Sequence, residues 1–237
     1  GKSIIYGGTN MTKVLVTGGA GYIGSVLVPD LLNKGYQVTV VDNLSVGKTN
    51  NFASFAESPN FRFIQLDVSD FEALSNVFSG IDWVFHLAAL ADIVPSIENP
   101  EAYFQSNVVG SFNVAKLSAE NNVKRVVYAA SSSCYGIPKS FPTSEDAGCD
   151  PKYPYALTKY LGEQIMMHWN SVYDLPVVCL RLFNVYGPRA RTSGTYGAVF
   201  GVFLAQKLAG APFTIVGDGT QTRDFTFVSD VCQAFLT

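Results

Sequence analysis

The sequence predicts an α/β fold, a doubly wound parallel sheet with helices on both faces, and three observations predict it. Runs rich in Val, Ile and Phe alternate with stretches of helical periodicity over residues 11–182. Those runs are near-continuously apolar, as parallel strands buried on both faces require. The first run breaks into closely spaced glycines and then opens a helix. Right-handed crossovers leave little other topology for this rhythm.

The elements follow in order. Lys13–Thr17 is a β-branched strand cut by glycines, and 22–34 has helical spacing, with Ile23, Val26, Leu27 and Leu31 on one side and Gly35 as its stop. Strands are expected over 37–41, 61–66, 83–86, 125–129 and 176–182, and helices over 71–78, 100–121 and 154–173. Beyond Leu182 the rhythm changes. Residues 184–197 are rich in Gly, Pro, Arg, Ser and Thr, which predicts a long functional loop. A helix over 198–208 and strands over 213–216 and 224–228 follow. Ser229 and Asp230 then look like the N-cap of a helix over 231–237. That helix stops after about two turns without a capping glycine, so a small C-terminal substrate lobe, here incomplete, is expected. The division is a dinucleotide domain over 11–182 and a partial lobe over 183–237, with residues 1–10 set aside as a leader or tag remnant.

Composition excludes several classes. With 237 residues the chain has room for one domain and part of another, and at 48% apolar it is no disordered protein. Lys and Arg number 16 against 19 Asp and Glu, a net charge of −3, so no nucleic-acid partner is expected. Mean hydropathy is +0.19, yet no stretch approaches the ~18 uninterrupted apolar residues of a membrane span. Cys134, Cys149, Cys179 and Cys232 form no C-x-x-C pair. Reduced thiols in a cytoplasmic protein, and no metal, are the expectation.

Two constellations carry chemistry. The run Thr17-Gly18-Gly19-Ala20-Gly21-Tyr22-Ile23-Gly24 follows a strand and opens a helix. Gly18, Gly21 and Gly24 permit a tight turn and close approach to a pyrophosphate, which the helix N-terminus then faces. Asp42 closes the second strand, where a carboxylate holds adenosine ribose hydroxyls and repels a 2′-phosphate, so NAD is favoured over NADP. Asp67 and Val68 end the third strand, where an adenine would lie. His86-Leu87-Ala88-Ala89 ends the fourth strand in small residues that leave room for a ligand, with His86 itself expected to be packed and structural. The second constellation is Tyr155 and Lys159, whose i,i+4 spacing puts phenol and ammonium on one helix face. A tyrosine is a poor base at neutral pH unless a neighbouring cation stabilises its phenolate. Ser131, Ser132 and Ser133 directly follow a strand, so their hydroxyls lie at the carboxyl edge of the sheet, on the same side as the glycine turn.

With these motifs the chain resembles the extended short-chain dehydrogenase/reductases, in particular the nucleotide-sugar epimerases of the UDP-glucose 4-epimerase type. The resemblance runs from Lys13 to the last residue. It is carried by T-G-G-A-G-Y-I-G, V-V-D-N, L-D-V, H-L-A-A, N-V-V-G, S-S-S-C-Y-G, Y-A-L-T-K, R-L-F-N-V-Y-G-P-R and G-D-G-T-Q-T-R-D-F. It implies a Rossmann fold and C4 epimerisation of a nucleotide sugar through a transient 4-keto sugar, with NAD as the bound cofactor. It implies Tyr155 as the base, Lys159 as the residue that lowers its pKa, and Ser131 as the catalytic hydroxyl. Cofactor contacts are implied at Gly18, Gly21, Tyr22, Ile23, Gly24, Asp42, Asn43, Asp67, Val68, Leu87, Ala88, Ala89, Asn107, Tyr155 and Lys159. Substrate contacts are implied at Ser132, Ser133, Asn184 and Arg223, where an arginine fork suits phosphate oxygens. A homodimer through 100–121 and 154–173 is implied as well. Competing readings are a 4,6-dehydratase, which in the family carries Asp-Glu where Ser132 and Ser133 stand, and other NAD-dependent sugar-nucleotide enzymes. A non-catalytic NAD-binding scaffold is the alternative of another class. The sugar and its nucleotide are left open.

Overall fold

The computed structural model describes residues 11–190 and 199–237. The expected leader and the part of the predicted loop over 191–197 lie outside the described residues.

Six strands form one parallel sheet: β1 (Lys13–Thr17), β2 (Gln37–Asp42), β3 (Phe61–Gln65), β4 (Trp83–His86), β5 (Arg125–Ser131) and β6 (Val177–Leu182), in the order β3-β2-β1-β4-β5-β6. The chain winds outward from β1 on one side and from β4 on the other. The gap between β1 and β4 is the switch point where doubly wound sheets hold ligands. Register sets Thr17 beside Val41 on one side and beside His86 on the other.

Both faces are buried. Val14 and Val16 pack with Leu27, Val28 and Leu31 on one face, and Leu15 packs with Leu74, Phe78, Val114 and Met166 on the other. The alternation follows from the two-residue period of a strand. The first face is covered by α1 (Gly24–Asn33), which ends at Gly35 with φ +83°. The second face carries α2 (Phe71–Ser75), α5 (Gly110–Glu120) and α6 (Pro154–Tyr173).

Several expectations are corrected. The helix over 100–121 is three pieces: α4 (Pro100–Tyr103), a π-helical stretch (Phe104–Val109) and α5. A short α3 (Ile93–Glu98) precedes it. The expected loop start at Asn184 is a strand, β7 (Asn184–Tyr186), paired with β8 (Phe225–Phe227) in a separate parallel pair. After α7 (Val199–Leu208), no strand forms over 213–216, because those residues find no neighbouring edge. The last helix, α8 (Val228–Leu236), starts earlier than expected, with Phe227 as a cap residue that makes no side-chain bond. Its Val231, Cys232 and Phe235 join the core beside α1. The boundary expected after Leu182 therefore does not separate α8 from the sheet.

Candidate functional site

The glycine turn leaves β1 at its carboxyl end. Gly18 sits at φ +70°, and a Cβ there would come within 2.5 Å of the Ala88 nitrogen. Only glycine lets the turn approach the strand-end loop so closely. Gly24 packs directly against the Gly19 carbonyl and likewise has no room for a side chain. Tyr22 and Ile23 face elsewhere. The Tyr22 hydroxyl donates to the Val185 carbonyl at 2.9 Å. Burial first, and Cys232 second, push that phenol up to about 12. Ile23 packs against the core under α1. Both residues anchor the turn from behind.

A cavity of about 130 Å³ opens in front of the turn, lined by Gly18, Gly21, Asp42, Asn43, Asp67, Val68, Leu87, Ala88 and Ala89 among others. The Asp42 carboxylate accepts the Ala20 amide at 3.0 Å and the Leu44 amide at 2.8 Å. Burial raises its carboxyl above the usual range, and these two donors partly offset that. Two of its roughly four lone-pair sites stay open to a ligand. Asp67 is half-buried, and that partial burial by itself raises it. The Ser69 amide, the Ser69 hydroxyl and the Asn43 amide together outweigh burial and hold it low. Asn107 departs from its expected place. It is 1% exposed. Its amide bonds the Leu90 backbone at 2.8 and 3.0 Å and Thr158 at 3.0 Å. It lies in the π-helical stretch, where it braces the cavity wall at Leu90 and meets Thr158 of α6.

At the end of β5 the chain makes a 3-10 turn over Ser132–Tyr135. The Tyr155 hydroxyl, from the first turn of α6, donates to Ser131 Oγ at 3.3 Å. Ser131 and Ser133 hydroxyls lie 2.8 Å apart, and the Ser133 amide donates to Ser131 Oγ at 3.2 Å. Ser131, Ser133 and Tyr155 thus form one cluster, with Ser132 next to it in the turn. Lys159 Nζ lies 4.4 Å over the Tyr128 ring. Electrostatically the site differs from expectation. Burial pulls Lys159 down to about 7, with Cys179 and Glu163 pushing the other way. Burial raises Tyr155, the Ser131 bond lowers it, and Asp92 raises it further. Lys159 is buried and Tyr155 half-buried, and the loss of solvation outweighs the stabilisation expected between them.

Asn184 and Arg223 make their hydrogen bonds outside this cluster. The pairing of β7 with β8 sets Asn184 opposite Phe225, two residues beyond Arg223. Asn184 Nδ2 donates to the Asp224 carbonyl at 3.1 Å, and Arg223 is exposed, donating to the Thr222 carbonyl at 2.7 Å.

Two buried networks escaped the sequence. Ser111 gives its hydroxyl hydrogen to the Asn107 carbonyl at 2.7 Å, so it accepts from His86 Nε2 at 2.9 Å. His86 Nδ1 then accepts from Thr17 Oγ1 at 2.6 Å, which itself accepts the Ala88 amide at 3.2 Å. Burial first, and the Lys159 charge second, push His86 down to about 3, so it is neutral. The signal that could have found this pair is strand register, which sets Thr17 beside His86. In the second network, Arg181 forks onto Glu163 with bonds of 2.7, 3.0 and 3.2 Å and donates to the Tyr135 hydroxyl at 2.9 Å. Among the described residues no group of His, Cys, Asp and Glu could hold a metal ion. No helix among them is long and apolar enough to cross a membrane.

Comparison with known proteins supplies the context. The family model described as the NAD dependent epimerase/dehydratase family matches residues 14–237. A UDP-glucose 4-epimerase of Mycolicibacterium smegmatis is 39% identical over 227 residues, covering 94% of this chain and 72% of that protein. Among solved structures, a UDP-N-acetylglucosamine 4-epimerase from Methanobrevibacter ruminantium, in complex with UDP-N-acetylmuramic acid, superposes with a TM-score of 0.91 at 37% identity, covering 95% of this chain and 72% of that one. A UDP-glucose 4-epimerase from Thermotoga maritima with UDP-glucose gives a TM-score of 0.88 at 37% identity with the same coverages.

Proposed function

The chain belongs to the NAD dependent epimerase/dehydratase family, and from that premise we propose that it inverts C4 of a UDP-linked sugar, glucose or N-acetylglucosamine and their C4 epimers, with NAD as resident cofactor. The single observation that carries the reading is the bond from the Tyr155 hydroxyl to Ser131 Oγ at 3.3 Å, with Lys159 one helical turn on.

The cofactor fits on this chain's own geometry. Gly18, with no Cβ, lets the turn close onto Ala88 at the edge of the cavity it lines, and Asp42 keeps lone pairs free at that cavity. That carboxylate suits ribose hydroxyls and opposes a 2′-phosphate. Bound NAD would supply a hydride acceptor and donor at sugar C4.

The chain's residues do the rest. Tyr155 takes the proton of the sugar 4-hydroxyl, and Ser131 donates to the same oxygen as it becomes a carbonyl. Lys159, as its ammonium, stabilises the phenolate form of Tyr155. The 4-keto sugar rotates in the site, and Tyr155 returns the proton to the C4 oxygen, giving the alcohol of opposite configuration. A dehydratase would need an acid and a base beside Ser131, and Ser132 and Ser133 offer only hydroxyls.

We also propose a cytoplasmic homodimer. All four cysteines are free, which suits a reducing compartment. The outer face of α6 is largely apolar, with a groove of about 560 Å³ lined by Val108, Leu161, Ile165, Met167 and Trp169 together with the polar Gln164, His168 and Ser171. A second copy would cover it.

The test is turnover. Protein purified without added NAD is mixed with UDP-glucose and with UDP-N-acetylglucosamine, and C4 epimers are sought by NMR. Appearance of either epimer supports the reading. NAD held by the protein with no turnover of any nucleotide sugar would favour the scaffold alternative.

A further inference from the structure

Helix α6 carries a third polar side chain in line with Tyr155 and Lys159. Glu163 stands one turn beyond Lys159 on the same buried face, and each of the two is only 5% exposed. Residues four apart on a helix are neighbours. A buried carboxylate is costly unless it is paired, and here the pairing comes from outside the helix. Arg181, on β6, grips both carboxylate oxygens. The same guanidinium donates to the Tyr135 hydroxyl at 2.9 Å and to the Glu145 carbonyl at 3.1 Å, and lies 4.9 Å over the Tyr135 ring. Glu163 is therefore fixed in place by a bidentate fork rooted in the sheet.

Lys159 itself has no hydrogen-bond acceptor or ion-pair partner for Nζ among the described residues. The groups that face it are the Tyr128 ring on β5, His86 on β4, Cys179 on β6 and Glu163 on its own helix, with Tyr155 one turn before it. His86 is neutral, and burial pushes the Cys179 thiol up to about 12, so it carries no charge near neutral pH. Burial likewise keeps Tyr155 protonated in the resting protein. Glu163 is then the one anion in that ring of neighbours that stays charged at neutral pH.

We propose that Glu163, held by Arg181, is a positioning residue for the reaction: it keeps the ammonium form of Lys159 populated inside an apolar site. The role of that ammonium rests on the epimerase reading given above, whereas its titration can be read on the protein alone.

The test uses chain labelled with 13C at the lysine ε-carbons, with the Lys159 signal assigned by its loss in K159R. Burial pulls Lys159 down to about 7 in the protein as it stands. In E163Q its midpoint is expected to fall by about half a pH unit or more. In E163D, which keeps the carboxylate, it should stay close to wild type. Should E163Q fail to fold, the double variant E163Q/R181M removes the guanidinium that E163Q would orphan and is expected to show the same fall. In turnover, the alkaline limb of the pH profile should move down with the NMR midpoint. An unchanged Lys159 midpoint in a folded E163Q or E163Q/R181M protein would overturn the inference. Absence of all turnover in wild type would instead sink the epimerase reading and leave the titration result standing.

Discussion

The backbone N–H of Ala20 donates to the Asp42 carboxylate at 3.0 Å. The acidic residue at the end of β2 thus clamps the glycine turn while it faces the cavity that the turn borders. Its other oxygen accepts the Leu44 amide at 2.8 Å. An asparagine has one acceptor oxygen for these two donors, and its amide nitrogen would face an N–H. D42N is expected to lose about 1–3 kcal/mol of stability and to bind NAD more weakly. Urea denaturation and cofactor titration check both, and an unchanged unfolding midpoint would count against the clamp.

Tyr155 and Ser131 separate chemistry from stability. The Tyr155 hydroxyl makes one long bond, at 3.3 Å, to Ser131. Y155F should therefore lower kcat by about 10²–10⁴ while changing stability by less than about 1 kcal/mol. Ser131 Oγ also accepts the Ser133 amide at 3.2 Å. S131A should lower kcat and destabilise more than Y155F does. Equal melting shifts for the two variants would contradict this ordering.

Lys159 makes stability depend on alkaline pH. Its folded value is about 7, against about 10.4 for an ordinary lysine. Between those values the unfolded chain binds the extra proton and the folded chain does not. Stability from this group therefore rises as pH climbs through the window, by at most about 1.4 kcal/mol per pH unit. K159M removes the penalty. It should be more stable than wild type at pH 7, with the gap narrowing toward pH 10. Denaturation at the two pH values reads it, and a gap that stays constant would be the contrary result.

The apolar face of α6 predicts association. Met167 is 43% exposed there, close to Trp169, whose ring meets Phe112 edge-on at 5.4 Å. Wild type should sediment as a dimer at micromolar concentration. M167E places a charge on the apolar face and should shift the equilibrium to monomer with the fold intact. A monomeric wild type would end the dimer proposal.

The buried histidine predicts the acid side of the profile. His86 is held neutral between Thr17 and Ser111 and lies near 3, against an ordinary value near 6.5. Unfolded chain takes up that proton first, so stability should fall as pH drops from about 6.5 toward 3. H86Q should show a shallower loss over that range by denaturation. A slope equal to wild type would mean that other groups carry it.

Much of this was set by spacing along the chain. Apolar runs of the right length gave the six strands, most plainly the four central ones, whose burial on both faces leaves little other composition for them. The glycine turn was legible because backbone freedom at Gly18 and Gly24 is a property of the residue itself. Tyr155 and Lys159 were legible because helical periodicity is local.

What tertiary structure alone decided lies across distances that periodicity cannot span. Thr17 and His86 are 69 residues apart and meet only because β1 and β4 share a register. Asn107 braces Leu90 from within a π-helical stretch, and no spacing rule announces where one turn of a helix will widen. Tyr22 lies inside the glycine motif yet bonds Val185, which the second sheet carries to it. The charge states were the furthest from reach. A lysine beside a tyrosine in sequence suggests a cation and a ready base. Burial of both, with Glu163 and Arg181 brought in by α6 and β6, decides how much of that charge survives.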